Sequence, residues 1–132
     1  MRPIKFRAWD KVNGYMVYEG WAVKFKPERE KVSGIMLEPD QTPNCERIYG
    51  EWNDSDSIIL MQFTGLHDKN GKEIWEGDVV RHGGGDICTV YWEQEGCCFR
   101  LKSDKAVRRW YISFPNTCEV LGNIYENQDL IK

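Results

Sequence analysis

Long apolar runs are missing from this sequence of 132 residues. The longest runs contain four residues, as in Ile58–Met61, whereas a helix needs about 20 apolar residues to cross a bilayer. The first ten residues carry Arg2, Lys5 and Arg7 with no apolar segment behind them, so we expect no secretory signal. These features predict a soluble protein of the cytoplasm that makes no contact with a membrane.

Cysteine and histidine are scarce. The cysteines are Cys45, Cys88, Cys97, Cys98 and Cys118, and the histidines are His67 and His82. An odd number of cysteines with one adjacent pair argues against a disulfide framework and indicates a reducing compartment. The sequence has no C-x-x-C spacing, and adjacent cysteines cannot easily chelate one tetrahedral ion together. We therefore predict free thiols and no bound metal or other cofactor.

The common catalytic motifs are also missing. The sequence contains no G-x-S-x-G, H-E-x-x-H or Walker A pattern. Gly83–Gly85 precedes a β-branched segment and has no Lys-Ser/Thr pair, so it favours a hairpin turn over a phosphate loop. One enzymatic alternative stays open, because carboxylates such as Asp10, Glu76 and Asp78 could assemble in space into an acid–base site.

Aromatic residues make up 13% of the chain, and alternating patterns are frequent. Residues 4–9 alternate apolar with polar or bulky side chains, and Asn13-Gly14 is a strong turn dipeptide, so residues 1–19 are predicted to form a β-hairpin. Further strands are expected at 21–25 and 31–38. Residues 39–57 are polar and acidic and contain Pro39 and Pro43, which predicts a long loop.

Turn signals recur every eight to twelve residues from position 58 to position 125. Strands are predicted at 58–64, 79–82, 87–92, 97–101, 107–114 and 118–125, with a short terminal helix at 127–131. This spacing indicates an all-β, mainly antiparallel fold. We expect residues 58–132 to form an SH3-like or related small barrel with a short terminal tail, and residues 1–57 to form a β-rich N-terminal extension.

Charge is distributed unevenly around a net value of −3. Residues 38–56 hold six acids against Arg47, while residues 99–111 hold five bases against Asp104. Basic side chains interleaved with aromatic ones can bind single-stranded nucleic acid, because Lys and Arg neutralise phosphates and the aromatic rings stack on nucleobases. The candidate residues for such a site are Arg100, Lys102, Arg108, Arg109, Trp110 and Tyr111.

The alternation of a strand limits this basic segment. Arg109 and Tyr111 belong to the opposite face from Arg108 and Trp110, so only one of the two sets can be exposed if the other is in the core. The acidic residues 38–56 could also fold over the basic segment in the same chain or in a second copy. That arrangement would leave no cation for a phosphate.

Three ordered blocks resemble the YopX family of phage and prophage proteins. They are Ile4–Asp10, Met61–Arg81 and Glu119–Asn127, and they bracket nearly the whole chain. The resemblance implies a β-rich fold and an accessory role in a bacteriophage or prophage. It implies no established activity, so no catalytic residue is carried over. The sequences of residues 11–57 and 82–117 show no resemblance to the family.

These observations together favour a noncatalytic phage or prophage accessory protein that acts by binding in the bacterial cytoplasm. We expect self-association that buries part of the N-terminal hairpin and some surface aromatic residues, because small β-proteins must protect their edge strands. A protein partner and a nucleic acid are both compatible with the sequence. The alternatives are a single-stranded nucleic-acid-binding barrel that uses residues 99–111 and a small enzyme with an assembled carboxylate site.

Overall fold

The computed structural model describes residues 3–11, 14–18, 21–26, 31–37, 58–83, 85–103, 105, 109–112 and 117–131. Strands provide nearly all of the regular structure in these ranges, and a short 3₁₀-helix, Gln128–Ile131, follows the last strand. The seven strand pairs whose register is described are all antiparallel. The predicted all-β, antiparallel fold is therefore confirmed. Within the described ranges, no helix is long and apolar enough to cross a membrane.

Eleven strands are described, and most of them pair with a neighbour in sequence. They are β1 (Phe6–Asp10), β2 (Tyr15–Val17), β3 (Trp21–Lys26), β4 (Lys31–Leu37), β5 (Ile58–His67), β6 (Glu73–Trp75), β7 (Asp78–His82), β8 (Asp86–Glu93), β9 (Cys98–Lys102), β10 (Arg109–Tyr111) and β11 (Cys118–Asn123). The chain divides into two compact units, of which one contains residues 6–60 and the other contains residues 1–5 and 61–132.

The smaller unit contains two hairpins. In the first, β1 pairs with β2 so that Ala8 faces Val17 and Asp10 faces Tyr15, and the Gly14 N–H donates to the Asp10 carbonyl at 2.8 Å. The hairpin predicted from Asn13-Gly14 is confirmed. Its turn geometry explains why this dipeptide was informative, since Gly14 has a φ of 72° that few residues other than glycine adopt.

The second hairpin joins β3 to β4 and contains an irregularity. Trp21 lies opposite Leu37 and Val23 opposite Ile35, but the next apolar pair is Phe25 with Val32. One residue of β3, Lys24, is therefore opposed by two residues of β4, Ser33 and Gly34, as in a β-bulge. Since the extra residue restores the alternation, all three apolar pairs occupy the same face of the hairpin.

The larger unit is built on a five-stranded sheet with the order β10-β9-β8-β7-β11. One face of this sheet carries a core of fully buried residues. Its members are Ile74, Val80, Cys88, Val90, Leu101 and Cys118, with Leu66, Phe99, Ile112 and Val120 packed against them. Each large apolar side chain removed from water contributes about 1.5–3 kcal/mol, so this core anchors the strands that carry the candidate site.

The prediction that the first strand of the larger unit ends at Thr64 is wrong, because β5 continues to His67. Gly65 has a φ of 86°, and the pairing with β6 shifts register between Phe63 and His67. The glycine therefore bends the strand without ending it. The Thr64 hydroxyl stabilises this bend by donating to the Ile74 carbonyl at 2.7 Å and accepting from the Leu66 N–H at 3.2 Å.

Asp68 ties the turn after β5 to the edge strand β11. Its Oδ1 accepts the N–H groups of Asn70 and Lys72 at 2.8 and 2.9 Å, and its Oδ2 accepts the N–H of Val120 at 2.9 Å. The residue is only 6% exposed. Burial by itself raises the pKa of this carboxyl, but the three backbone donors and the Lys72 charge outweigh it, so the pKa lies below 3.8.

We predict that Asp68→Asn destabilises the protein by about 2–3 kcal/mol, because an amide nitrogen would face either the Val120 N–H or the donors of the turn. The wild-type carboxylate has a lowered pKa in the folded state. Its contribution is therefore present above the unfolded pKa near 3.8 and is lost as the pH falls through the folded value. Urea unfolding between pH 7 and pH 2.5 should show a smaller loss of stability below pH 4 in the variant than in wild type, and equal losses would contradict this role.

Candidate functional site

The structure places five of the six predicted nucleic-acid-binding residues on two neighbouring strands. Arg100 and Lys102 lie on β9, and the register sets Lys102 opposite Arg109, Leu101 opposite Trp110 and Arg100 opposite Tyr111 on β10. Only the backbone placement of Arg109, Trp110 and Tyr111 is described, and Arg108 lies outside the described residues. The sheet therefore brings the β9 and β10 members together in register, and the proposed nucleic-acid site stays a prediction.

Arg100 is engaged by a carboxylate across the β8–β9 hairpin. Its Nη1 lies 3.1 Å from Oε1 and 3.0 Å from Oε2 of Glu93, and both side chains are 17% exposed. A half-buried ion pair of this kind largely neutralises both charges. A phosphate would have to displace Glu93 before it could bind Arg100 in the same way.

Gly96 makes room for this ion pair inside the turn. A methyl group on Gly96 would lie 2.6 Å from Oε2 of Glu93 and 3.3 Å from Sγ of Cys98. The Glu93 carboxylate therefore sits directly against the backbone of the turn that connects its own strand to β9. The arrangement fixes the hairpin closure, where Glu93 lies opposite Cys98 in the register.

Lys102 has a different environment from Arg100. It is exposed, and its Nζ lies 5.8 Å from the centroid of the Tyr91 ring. A cation held over an aromatic face contributes about 0.5–1 kcal/mol at an exposed site. The Tyr91 hydroxyl is buried and has no hydrogen-bond partner within the described part of the chain. Lys102 thus remains exposed while its ammonium group lies over the Tyr91 ring.

An aromatic pair occupies the end of the same hairpin on the core face. Trp92 lies opposite Phe99 in the register, and the two ring centroids are 5.0 Å apart with an edge-to-face angle of 71°. Phe99 packs against the core, whereas Trp92 is 40% exposed. The Trp92 indole N–H donates to Oε1 of Gln94 at 3.2 Å. We call residues 92–99 the hairpin tip.

The sequence analysis missed Trp92 and Glu93 as members of a site. Both lie on β8, outside the basic segment 99–111. The signal that could have found them is the placement of Trp92 and Phe99 on either side of a short polar turn, since residues that flank a hairpin turn symmetrically face each other across the strands.

The described cysteines Cys88, Cys97, Cys98 and Cys118 are free thiols, and Cys45 lies outside the described residues. Cys88 and Cys118 are buried in the core, and burial raises the pKa of Cys88 to about 11. Cys97 is exposed in the hairpin tip with a φ of 50°. Among the described residues, no group of three or more His, Cys, Asp and Glu side chains could hold a metal ion.

Two of the carboxylates named for a possible enzymatic site, Asp78 and Asp10, are buried. Asp78 is 2% exposed, and its Oδ2 accepts the Trp75 N–H at 2.7 Å. This bond closes the turn between β6 and β7. Asp10 is 1% exposed and lies in the smaller unit, on β1.

We predict that Arg100→Met destabilises the protein by about 1–3 kcal/mol, because it leaves the Glu93 carboxylate half-buried without its cation. Combining it with Glu93→Gln should cost less than the sum of the two single changes, since the pair is coupled. Lys102→Met, two residues along the same face, is the matched control and should cost at most about 0.5–1 kcal/mol, the value of its contact with the Tyr91 ring. Thermal and urea unfolding measure all four variants, and additive effects would exclude a stabilising ion pair.

Comparisons with known proteins identify relatives over the full chain. The family model described as YopX protein matches residues 5–132. The crystal structure of protein EF1440 from Enterococcus faecalis superimposes with a TM-score of 0.70 at 24% identity, covering 98% of this chain and 99% of that one. The crystal structure of yopX from Bacillus subtilis gives a TM-score of 0.67 at 19% identity and covers 100% of both chains. No curated protein sequence matches this chain.

The family model covers both units of the chain, and the two solved structures share its fold over their whole length. Their identities are below the level at which a binding site can be transferred residue by residue, so they establish the fold alone. The resemblance seen in the three sequence blocks is confirmed by the match over residues 5–132, and this chain belongs to the YopX family.

Proposed function

We propose that this protein is a noncatalytic accessory protein of a bacteriophage or prophage, and that it acts in the bacterial cytoplasm by binding another protein through the hairpin tip. The observation that carries the proposal is the exposed ring of Trp92, which is packed edge-to-face on Phe99. A large aromatic side chain that remains 40% exposed while its neighbour joins the core offers apolar area for a partner.

Trp92 is held in place before any partner arrives. Its indole nitrogen is bonded to Gln94, and its ring contacts Phe99. Because the side chain has little freedom left to lose, binding incurs a small entropy cost. Tryptophan is also enriched among the few residues that contribute most of the binding energy at protein interfaces.

Charge at the tip favours a protein partner over a nucleic acid. Glu93 is neutralised by Arg100, whereas Glu95 is exposed, and the turn residues 94–97 contain no base. A phosphate backbone would meet this acidic residue with repulsion. A partner that presents Lys or Arg could place the cation over the Trp92 ring and near Glu95 at the same time.

The noncatalytic part of the proposal is supported by how the reactive side chains are used. Asp78 accepts a backbone hydrogen bond in a turn, and the core thiol of Cys88 has a pKa of about 11, which disfavours the reactive thiolate. The rival hypothesis of single-stranded nucleic-acid binding retains one favourable feature, the exposed ammonium group of Lys102.

Self-association is proposed for the β1–β2 hairpin. Tyr15 and Tyr18 are 43% and 51% exposed there, so about half of each aromatic residue remains accessible, with Cζ of Arg7 lying 5.9 Å from the centroid of the Tyr18 ring. We predict that light scattering at high micromolar concentration gives a multiple of 15.5 kDa, and that Tyr15→Ser combined with Tyr18→Ser lowers the mass. A mass of one chain for the wild type at these concentrations would exclude this interface.

We predict that Trp92→Ala weakens capture of the partner protein by about thirtyfold, since an aromatic anchor is worth about 2 kcal/mol. Affinity capture from infected host cells, quantified by mass spectrometry, compares wild type with Trp92→Ala. Ile4→Ala is the matched control, because it removes an exposed large apolar side chain that lies outside the hairpin tip and outside β1 and β2. Each capture experiment is repeated after treatment of the lysate with nuclease.

The proposal predicts a protein that wild type and Ile4→Ala retain, that Trp92→Ala loses, and that nuclease does not release. Circular dichroism should show that Trp92→Ala keeps its strand spectrum. Equal capture by Trp92→Ala and wild type would remove the hairpin tip as the site, and release of every captured protein by nuclease would point instead to the nucleic-acid hypothesis.

A further inference from the structure

The hairpin tip carries two adjacent thiols, Cys97 at the end of the turn and Cys98 at the start of β9. Cys97 is exposed and Cys98 is half-buried. The other two described cysteines, Cys88 and Cys118, are buried in the core. Because the oxidation of cysteine follows the exposure of its sulfur, a reagent in solution reacts at the tip before it reaches the core.

Cys98 lies on the crowded side of the turn. It is opposite Glu93 in the register, and its Sγ is 3.3 Å from the position that a Cβ on Gly96 would occupy. Oε2 of Glu93 lies 2.6 Å from the same position. A bulky group attached to the Cys98 sulfur would meet this carboxylate and the backbone of the turn. Cys97 is therefore the thiol that a reagent reaches first, and Cys98 is a second thiol in the adjacent position.

The Cys97 thiol is connected to the exposed ring of Trp92. Its S–H donates a weak hydrogen bond to the Gln94 carbonyl at 3.5 Å, and the Gln94 side chain accepts the Trp92 indole N–H at 3.2 Å. Cys97 also has a φ of 50°, which residues with a Cβ adopt only uncommonly. A reaction at Cys97 therefore acts on the turn that holds the residue bonded to Trp92.

We propose that Cys97 and Cys98 form a thiol switch that a small-molecule disulfide closes and that controls the hairpin tip. The Cys97 thiolate attacks one sulfur of the small disulfide, releases the first small thiol and becomes a mixed disulfide. The Cys98 thiolate then attacks the Cys97 sulfur, forms the Cys97–Cys98 bond and releases the second small thiol. The two cysteine thiols together lose two electrons and two protons, which the two released small thiols take up.

The adjacency of the two cysteines makes this bond reversible. Consecutive Cα atoms are about 3.8 Å apart, whereas most disulfides join Cα atoms that are about 4.4–6.8 Å apart. A bond between Cys97 and Cys98 is therefore strained, and strained, exposed disulfides are reduced more readily than structural ones. The thiols should thus be free in a reducing compartment, as they are in the structure, and should close when small disulfides accumulate.

Closing the bond changes the part of the tip that presents Trp92. The Cys97 sulfur loses the proton of its hydrogen bond, and Cys98 has to shift from its position opposite Glu93. Since Trp92 and Phe99 form the next register pair, this shift disturbs the contact between their rings. Weaker capture of a partner by the oxidised tip rests on the proposed function, whereas formation of the disulfide does not.

The first measurement is the intact mass of the native protein after treatment with oxidised glutathione. Every protein carries Cys45→Ser, because Cys45 lies outside the described residues. The parent should lose the mass of two hydrogen atoms, whereas Cys98→Ser should gain one glutathione and keep it. Cys97→Ser is the matched control and should show neither change over the same time, because its Cys98 thiol is hindered and the core thiols are buried. Dithiothreitol should reverse both products.

The second measurement is amide hydrogen exchange of residues 92–99, which reports on the tip without a partner. Exchange should be faster in the oxidised parent than in the reduced parent, and the same treatment should not change it in Cys97→Ser. Capture from host lysate is then compared for both redox states, after the lysate thiols are alkylated so that they cannot reduce the disulfide. Capture that requires Trp92 should fall on oxidation and return after dithiothreitol.

The proposal is supported if the parent closes the disulfide, Cys98→Ser stops at the mixed disulfide, and exchange at the tip rises with oxidation. It is overturned if the parent stays unmodified or stops at the mixed disulfide, or if exchange at the tip is equal in both redox states. Equal Trp92-dependent capture by both states would also overturn control of the tip. If reduced protein captures nothing that requires Trp92, the proposed function fails, and the mass and exchange measurements still decide on the switch.

Discussion

The carboxylate of Asp68 joins two segments of the larger unit that lie 52 residues apart in sequence. One oxygen accepts two amides of its own turn, and the other accepts the Val120 amide on β11. The Lys69 N–H adds a backbone bond to the Cys118 carbonyl at 3.0 Å. Because β11 is an edge strand of the five-stranded sheet, these bonds connect the β5–β6 turn to that edge. β11 pairs with β7, and β7 pairs with β8, so the same sheet carries the β8–β9 hairpin.

Local sequence patterns were sufficient to predict an element wherever a turn dipeptide or an alternation of apolar and polar residues determines its structure. The Asn13-Gly14 hairpin and the strand spacing after residue 58 followed from turn chemistry and period two, and the structure confirms them. The prediction of a strand end at Thr64 failed because Gly65 can bend a strand as well as end it. The bulge at Ser33 and Gly34 could not be predicted either, since pairing with β3 decides which residue is extra.

The candidate site was harder to predict, because the sequence shows which residues are charged but not which residues they pair with in the folded protein. Arg100 appeared to be part of a free basic segment, but β8 supplies Glu93 at hydrogen-bonding distance, and Gly96 leaves space for that carboxylate. Conversely, Lys26 and Lys31 are five residues apart with two acids between them in sequence, yet the hairpin register sets them face to face. In both cases strand pairing, which is nonlocal information, determines which charged residues lie opposite each other.

Membership of the YopX family explains the fold of this chain but does not identify its binding surfaces. The resemblance blocks contain Asp68, Asp78 and Asn123, whose side-chain oxygens accept backbone N–H groups at turns and strand ends. The hairpin tip and the β3–β4 hairpin both fall in the intervening stretches of sequence. A fold of this kind fixes where hairpins emerge, while the residues on those hairpins decide what they bind. The two solved relatives, at 24% and 19% identity, can therefore share this fold and still bind different partners.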